Sequence, residues 1–111
     1  LEIEEPHVYN HVADVSKLDF SNEIPNTVFI NCSVDQFIDS TWYDSIPTGC
    51  IVCMQTTDIV DDSQDWEIIQ KTVDLDEFKS RYKMSTVLFE GQKKIPYKTG
   101  HYNRLMIIGY K

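Results

Sequence analysis

"CIVCMQT", residues 50–56, is the stretch from which the fold is predicted, because it is apolar almost throughout and follows a Pro-Thr-Gly turn signal at 47–49. It lacks the alternating polar side chains of a strand that has one face in water. A second run, "TVFINCSV" at residues 27–34, has the same character. Continuous apolar strands are typical of a sheet that helices cover on both faces. The two runs therefore predict an α/β, three-layer sandwich.

The segments around these two strands complete the predicted order of elements. Residues 35–46 roughly fit one helical face, and Asp74 with Glu77 forms a capping-box pattern that opens a clearer helix. Residues 85–92 and 104–111 read as an antiparallel hairpin joined by a long loop. The order strand, helix, strand, loop, helix, strand, strand predicts a mixed, mostly parallel sheet that ends in an antiparallel hairpin, within a single domain over residues 1–111.

The Cys50-x-x-Cys53 pair resembles the spacing of a metal or redox motif. Side chains three apart on a strand point to opposite faces of the sheet, so these two thiols cannot bind one ion together. A redox pair also needs a helix that begins at the first thiol, whereas an apolar strand begins here. We therefore interpret both cysteines as small buried residues and expect no metal site.

Charge is divided unevenly along the chain, whose formal net charge is −8. Seventeen of the 18 acidic side chains lie in residues 1–78, and eight of the 10 basic ones lie in residues 79–111. Either the two halves neutralise each other across one surface, or the basic loop 93–104 meets an anionic ligand. The acidic total argues against simple binding to a phosphate backbone, so nucleic acid is expected, if at all, only through this loop.

Three cysteines, an odd number, do not suit a disulfide-stapled secreted domain, and we expect a cytoplasmic protein. No apolar run approaches the roughly 20 residues of a membrane-spanning helix, so no membrane partner is expected.

Several segments together resemble the later two-thirds of a class I S-adenosylmethionine-dependent methyltransferase domain, a partial Rossmann-like fold. The segments are "ADVSKLDF" (13–20), "TVFINCSV", "IPTGCIVCMQ" (46–55) and the final hairpin. The pattern is most similar to short methyltransferase-like proteins of phage and environmental bacterial sequences. The resemblance implies S-adenosylmethionine as cofactor, methyl transfer to an unknown substrate, for which the basic loop 93–104 suggests an anionic one, and a nucleotide-binding acid at Asp14.

The same resemblance implies roles for residues at two positions in the chain. Asp14 and Val15 would contact the adenine, and Asn31 and Cys32 would complete the cofactor site. Asn31 and Ser33 would orient the nucleophile in line with the transferable methyl group.

The chain departs from that family in lacking its first strand and glycine-rich loop, since its four glycines form no G-x-G. Two hypotheses follow: a truncated or reduced methyltransferase-like protein that binds the cofactor weakly, or a non-catalytic interaction or structural module derived from the fold. The missing strand would leave residues 27–34 as an apolar sheet edge that invites pairing. We therefore expect a homo-oligomer, most simply a dimer, or a partner chain near Val28, Ile30 and Phe37.

Overall fold

The computed structural model describes residues 18–23, 26–59, 68–97 and 100–111. Its elements follow the order predicted from the sequence, with a short 3-10 helix, Val34–Gln36, after the first strand. None of the helices in this part of the chain has the length and apolar character needed to cross a membrane. The strands and α-helices are β1 Val28–Asn31, α1 Thr41–Asp44, β2 Ile51–Thr57, α2 Leu75–Arg81, β3 Thr86–Tyr97 and β4 Gly100–Tyr110.

The four strands form one mixed sheet in the order β1-β2-β4-β3. β1 runs parallel to β2, and β4 is antiparallel to both β2 and β3. The register places Phe29 beside Val52 and Cys53 beside Ile108. Since paired residues share a face, the register assigns every side chain of the sheet to one of two faces.

Only one face of this sheet is covered by helices within the described residues, so the predicted three-layer, Rossmann-like sandwich is wrong. Along β2, buried and half-buried residues alternate: Val52 and Met54 have no exposure, whereas Cys53 and Gln55 keep some. The reason lies in the connections. β1 to β2 and β2 to β3 both move in the same direction across the sheet, and connections of one hand that do so place their helices on one face.

The hydrophobic core lies between the covered face and the two helices. Aromatic side chains of both helical segments interlock, with 5.3 Å between the ring centroids of Tyr43 and Tyr82 and 5.7 Å between those of Phe78 and Tyr82. Half of the predicted capping box is confirmed: the Asp74 carboxylate accepts a 2.8 Å hydrogen bond from the Glu77 N–H, whereas the Glu77 carboxylate pairs with Arg81 at 2.9 Å. The core comprises Val34, Trp42, Tyr43, Ile46, Cys50, Val52, Met54, Phe78, Tyr82, Leu105 and Ile107.

The β3–β4 hairpin extends beyond the rest of the sheet as a two-stranded ribbon. Pairing of β2 with β4 ends at Thr57 and Arg104, whereas pairing within the hairpin continues to Tyr97 and Gly100. Most of the predicted loop at 93–104 is therefore strand. Proline is tolerated at Pro96 because β3 is an edge strand of the described sheet, where a missing N–H breaks no ladder.

A side-chain clamp fixes the base of this ribbon to the end of β2. The Asp58 carboxylate accepts hydrogen bonds from the Asn103 backbone N–H at 2.7 Å and from the Asn103 side-chain amide at 2.8 Å. The Asp58 N–H in turn donates to the Asn103 carbonyl at 3.2 Å. The position of Arg104, the next residue, relative to β2 is thereby fixed.

Candidate functional site

Three of the site residues expected from the resemblance lie together at the carboxyl end of β1. Asn31 is the last residue of the strand, and its side-chain oxygen accepts a 2.9 Å hydrogen bond from the Ser33 N–H. Cys32 and Ser33 are both exposed. Asp14 and Val15 lie outside the described residues. The structure therefore places Asn31, Cys32 and Ser33 at one strand end, and the adenine contacts expected of Asp14 and Val15 stay a prediction.

A polar depression of about 230 Å³ lies at the carboxyl ends of the parallel strands β1 and β2. This is the edge where open α/β sheets commonly bind ligands, because loops follow the strands there. Asp35, from the 3-10 helix after β1, contributes a carboxylate at only 8% exposure. We call this feature the polar depression; its lining residues are Cys32, Ser33, Asp35, Gln36, Thr57, Tyr102 and Arg104.

The charges in the polar depression are not paired with one another. The one side-chain hydrogen bond to the Asp35 carboxylate comes from the Gln36 amide at 3.4 Å. The Arg104 guanidinium donates to the Gln55 side-chain oxygen at 2.9 Å. Across residues 18–23, 26–59, 68–97 and 100–111, no ion pair involves Asp35 or Arg104. Thr57 adds a buried hydroxyl that has no partner in the same ranges.

The face of the sheet that points away from the helices, which we call the open face, carries the side chains that the helices do not cover. Its apolar members are well exposed: 54% for Val28, 69% for Ile30 and 51% for Phe89. Val28 and Ile30 are two of the residues expected at an interface, and β1 is an edge strand of the described sheet, as predicted. The third, Phe37, instead packs against Trp42 in the core, with 5.4 Å between ring centroids.

A hollow of about 320 Å³ lies on the open face between β4 and β3. Gly91 makes room for it, because a Cβ at this position would come within 2.9 Å of the Phe89 ring. The ring therefore lies across the strand and forms one wall. Met106 lines the hollow together with Lys93 and Arg104, which bring positive charge to its rim.

The two cysteines of the C-x-x-C pair lie on opposite faces, as strand geometry predicts. Cys50 is fully buried under the helices, whereas Cys53 is half-buried on the open face. Burial raises the pKa of the Cys53 thiol, and the neighbouring Cys32 raises it further. All three cysteines are free thiols, and no group of His, Cys, Asp and Glu in the described part of the chain could hold a metal ion.

The sequence analysis did not predict that Asp35 and Thr57 line the polar depression, and it did not predict the hollow beside Gly91. One available signal was that the carboxyl ends of parallel strands meet at one edge, which brings residues after β1 close to residues at the end of β2. Arg104 could not be found in this way, since its place depends on the antiparallel register of β4.

Comparison with protein-family models, curated proteins and solved structures gave no match. The methyltransferase resemblance, the S-adenosylmethionine cofactor and the roles assigned to Asp14, Val15, Asn31, Cys32 and Ser33 therefore stay predictions.

Proposed function

We propose that this chain is a non-catalytic interaction module whose open face binds an acidic amphipathic helix of a partner protein. One observation carries the proposal. Although the chain has 18 acidic residues, none of the positions that β1, β2, β3 and β4 direct to the open face within the described residues is acidic. The positions are apolar or neutral across most of the face and become basic at Lys93 and Arg104.

The apolar part of the open face suits a packed second layer better than water. Sheets with one apolar face are stable when a helix or another sheet covers it, as the helices do on the covered side. Ile51, Cys53, Met106 and Ile108 lie along the centre of the open face and are partly exposed. Exposed apolar patches of this kind mark interaction sites in soluble domains.

The charge at one end of the open face selects an acidic partner. Residues 91–111 contain no acidic residue, and Glu90, the nearest one along β3, is held by Lys79 at 2.7 Å on the covered side. Lys93 and Arg104 therefore present positive charge beside the hollow without a carboxylate from their own strands. An apolar anchor in that hollow, flanked by Glu or Asp, would satisfy both features.

A peptide probe tests this surface. The probe is a labelled helical peptide with apolar residues at i, i+3, i+4 and i+7 and Glu on both flanks, and its binding is followed by fluorescence anisotropy. We expect Lys93→Glu to weaken binding about tenfold, because attraction becomes repulsion at the rim. Lys94→Glu is the matched control: the same change, one residue along β3, on the side away from the open face. Equal weakening by both variants, or no binding by any of them, would contradict the proposal.

Two other occupants of the open face are distinguished by zero-length cross-linking. A carbodiimide joins Lys93 to any carboxylate in contact with it, and mixing light and heavy isotope-labelled copies shows which chain supplied that carboxylate. Cross-links to residues 1–17 or 60–67 of the same chain would assign the face to a segment of this protein. Mixed-isotope cross-links would assign it to a second copy, the dimer expected above. Either result would overturn the proposal, and a Lys93 that couples only to added peptide supports it.

A further inference from the structure

We infer that the polar depression binds a small zwitterion, with a free α-amino acid as the representative class. The depression holds one buried carboxylate, one guanidinium and one buried hydroxyl that do not satisfy one another. A ligand with an ammonium and a carboxylate would satisfy all three at once. The polar depression shares Arg104 with the rim of the hollow, but the inference does not depend on which partner binds the open face.

Asp35 is the proposed partner of the ammonium group. Its backbone is held in place, because its carbonyl accepts 2.9 Å hydrogen bonds from the N–H groups of both Ile69 and Gln70. The residue as a whole is more than nine-tenths buried, and its carboxylate accepts only the 3.4 Å hydrogen bond from the Gln36 amide. A buried carboxylate is costly unless a cation or several hydrogen bonds compensate it. The described residues supply no cation to Asp35, and the inference assigns that role to the ammonium of a ligand.

Arg104 is the proposed partner of the carboxylate group. A guanidinium has five N–H donors in a planar fork that matches two carboxylate oxygens, and the structure engages it with the Gln55 oxygen alone. Asp58, the nearest acid along β2, is occupied by Asn103. The remaining donors of Arg104 are therefore available to a carboxylate in the depression.

Thr57 and the size of the depression narrow the ligand class further. The Thr57 hydroxyl is buried and has no hydrogen-bond partner in the described part of the chain, so a polar ligand atom would remove its desolvation cost. The volume of about 230 Å³ is well above that of a single water and suits a molecule of several heavy atoms.

Simpler ligands fit the polar depression less well. A phosphate or another small anion would meet Arg104 but would be repelled by the Asp35 carboxylate. A metal ion would find a single carboxylate and a positive guanidinium beside it. A monocation would leave the Arg104 guanidinium with Gln55 as its only hydrogen-bond partner among the described residues. A ligand that carries both a positive and a negative charge matches the Asp35 carboxylate and the Arg104 guanidinium together.

Nuclear magnetic resonance titration of the full chain with three matched probes tests the inference. L-Alanine carries both charges, ethylamine only the positive one and propionate only the negative one. We expect L-alanine to shift the amide signals of Ser33, Thr57 and Arg104 with a dissociation constant on the order of 1 mM, a modest affinity for so few atoms. Ethylamine and propionate should bind at least about tenfold more weakly, since each loses one charge-assisted contact.

Substitutions separate binding from folding. Asp35→Asn keeps the shape and removes the charge, and we expect it to weaken L-alanine binding at least about tenfold while leaving the thermal midpoint unchanged or raised. Arg104→Gln should weaken binding to a similar extent. Asp76→Asn makes the same chemical change at an exposed site on α2 and should have no effect on binding.

Two results would overturn the inference: no signal shift with any standard amino acid up to about 20 mM, or equal binding of L-alanine by Asp35→Asn and the unchanged chain. Failure of the peptide experiment on the open face would leave it untouched, because Lys93 does not line the polar depression.

Discussion

The two faces of the single sheet differ in what covers them far more than in how apolar they are. Neighbouring residues of β4 show this directly: Ile107 is fully buried under the helices, and Ile108 on the open face is only partly so. Met54 and Cys53 show the same contrast on β2. Hydrophobicity along a strand therefore indicates that a face needs cover, but it does not indicate whether this chain supplies that cover.

The direction of the chain connections decides which face is covered. Both crossovers advance from β1 toward β3, so α1 and α2 lie on one side. Aromatic residues of these segments fill that side, including Trp42 and Phe78. On the other side, the strands keep their apolar side chains, and two cations lie at one end.

The largest expected difference between the faces is in stability. Phe78→Ala, on the covered face, should lower the free energy of unfolding by about 3–5 kcal/mol, because it leaves a cavity in the core. Phe89→Ala, the same change at a ring that is 51% exposed, should cost less than about 1 kcal/mol. Urea denaturation of both variants measures the two costs. Similar losses would mean that the open face is packed as tightly as the covered one, which would break the comparison.

A smaller effect is expected at alkaline pH from Tyr43 on the covered face. Burial, with the charge of Asp44 as a lesser cause, raises the pKa of Tyr43 to about 12. The folded chain therefore holds this proton more tightly than the unfolded chain, whose tyrosine has a pKa near 10. The resulting stabilisation is complete below about pH 10 and is lost as the pH rises toward about 12.

Tyr43→Phe removes the titrating group that causes this loss. The variant should be slightly less stable at neutral pH, since it also loses the 2.5 Å hydrogen bond to the Lys83 carbonyl. Its stability should fall less steeply above pH 10, although burial raises the pKa of Tyr82 as well and some slope stays. Unfolding free energies at several alkaline pH values show this, and identical slopes for both chains would refute it.

The smallest expected effect is a difference in the rate at which cysteines on the two faces react with a thiol reagent, and its measurement needs no substitution. Iodoacetamide should modify the exposed Cys32 first, Cys53 on the open face more slowly, and Cys50 only as fast as the chain unfolds. Because burial raises the pKa of Cys53, its modification rate should keep rising at pH values where a cysteine in a short peptide has levelled off. Mass spectrometry of digested samples follows each site. Modification of Cys50 as fast as that of Cys53 would contradict the burial difference.

The sequence predicted the helices and strands in their correct order, but it predicted wrongly that helices cover both faces of the sheet. The helix N-cap at Asp74, the apolar strands and the antiparallel hairpin could be predicted, because each depends on residues near in the chain. The loop expected at 93–104 is mostly strand. Pro96 and Gly100 predicted a turn, but the pairing of β3 with β4 continues through both of them. Of the residues that line the polar depression, Cys32 and Ser33 were chosen in advance by resemblance, and Tyr102 and Arg104 only as part of the basic loop 93–104.

By itself, the sequence determined the order of strands and helices, that Cys50 and Cys53 point to opposite faces, and that basic residues gather after Glu90. Strand alternation and helix capping depend only on neighbouring residues, so both can be predicted from the sequence alone. Tertiary structure alone decided that both described α-helices lie on one face of the sheet and that Asp35, Thr57 and Arg104 share a depression. Strand order and crossover direction are set by contacts between distant segments, and no local pattern records them.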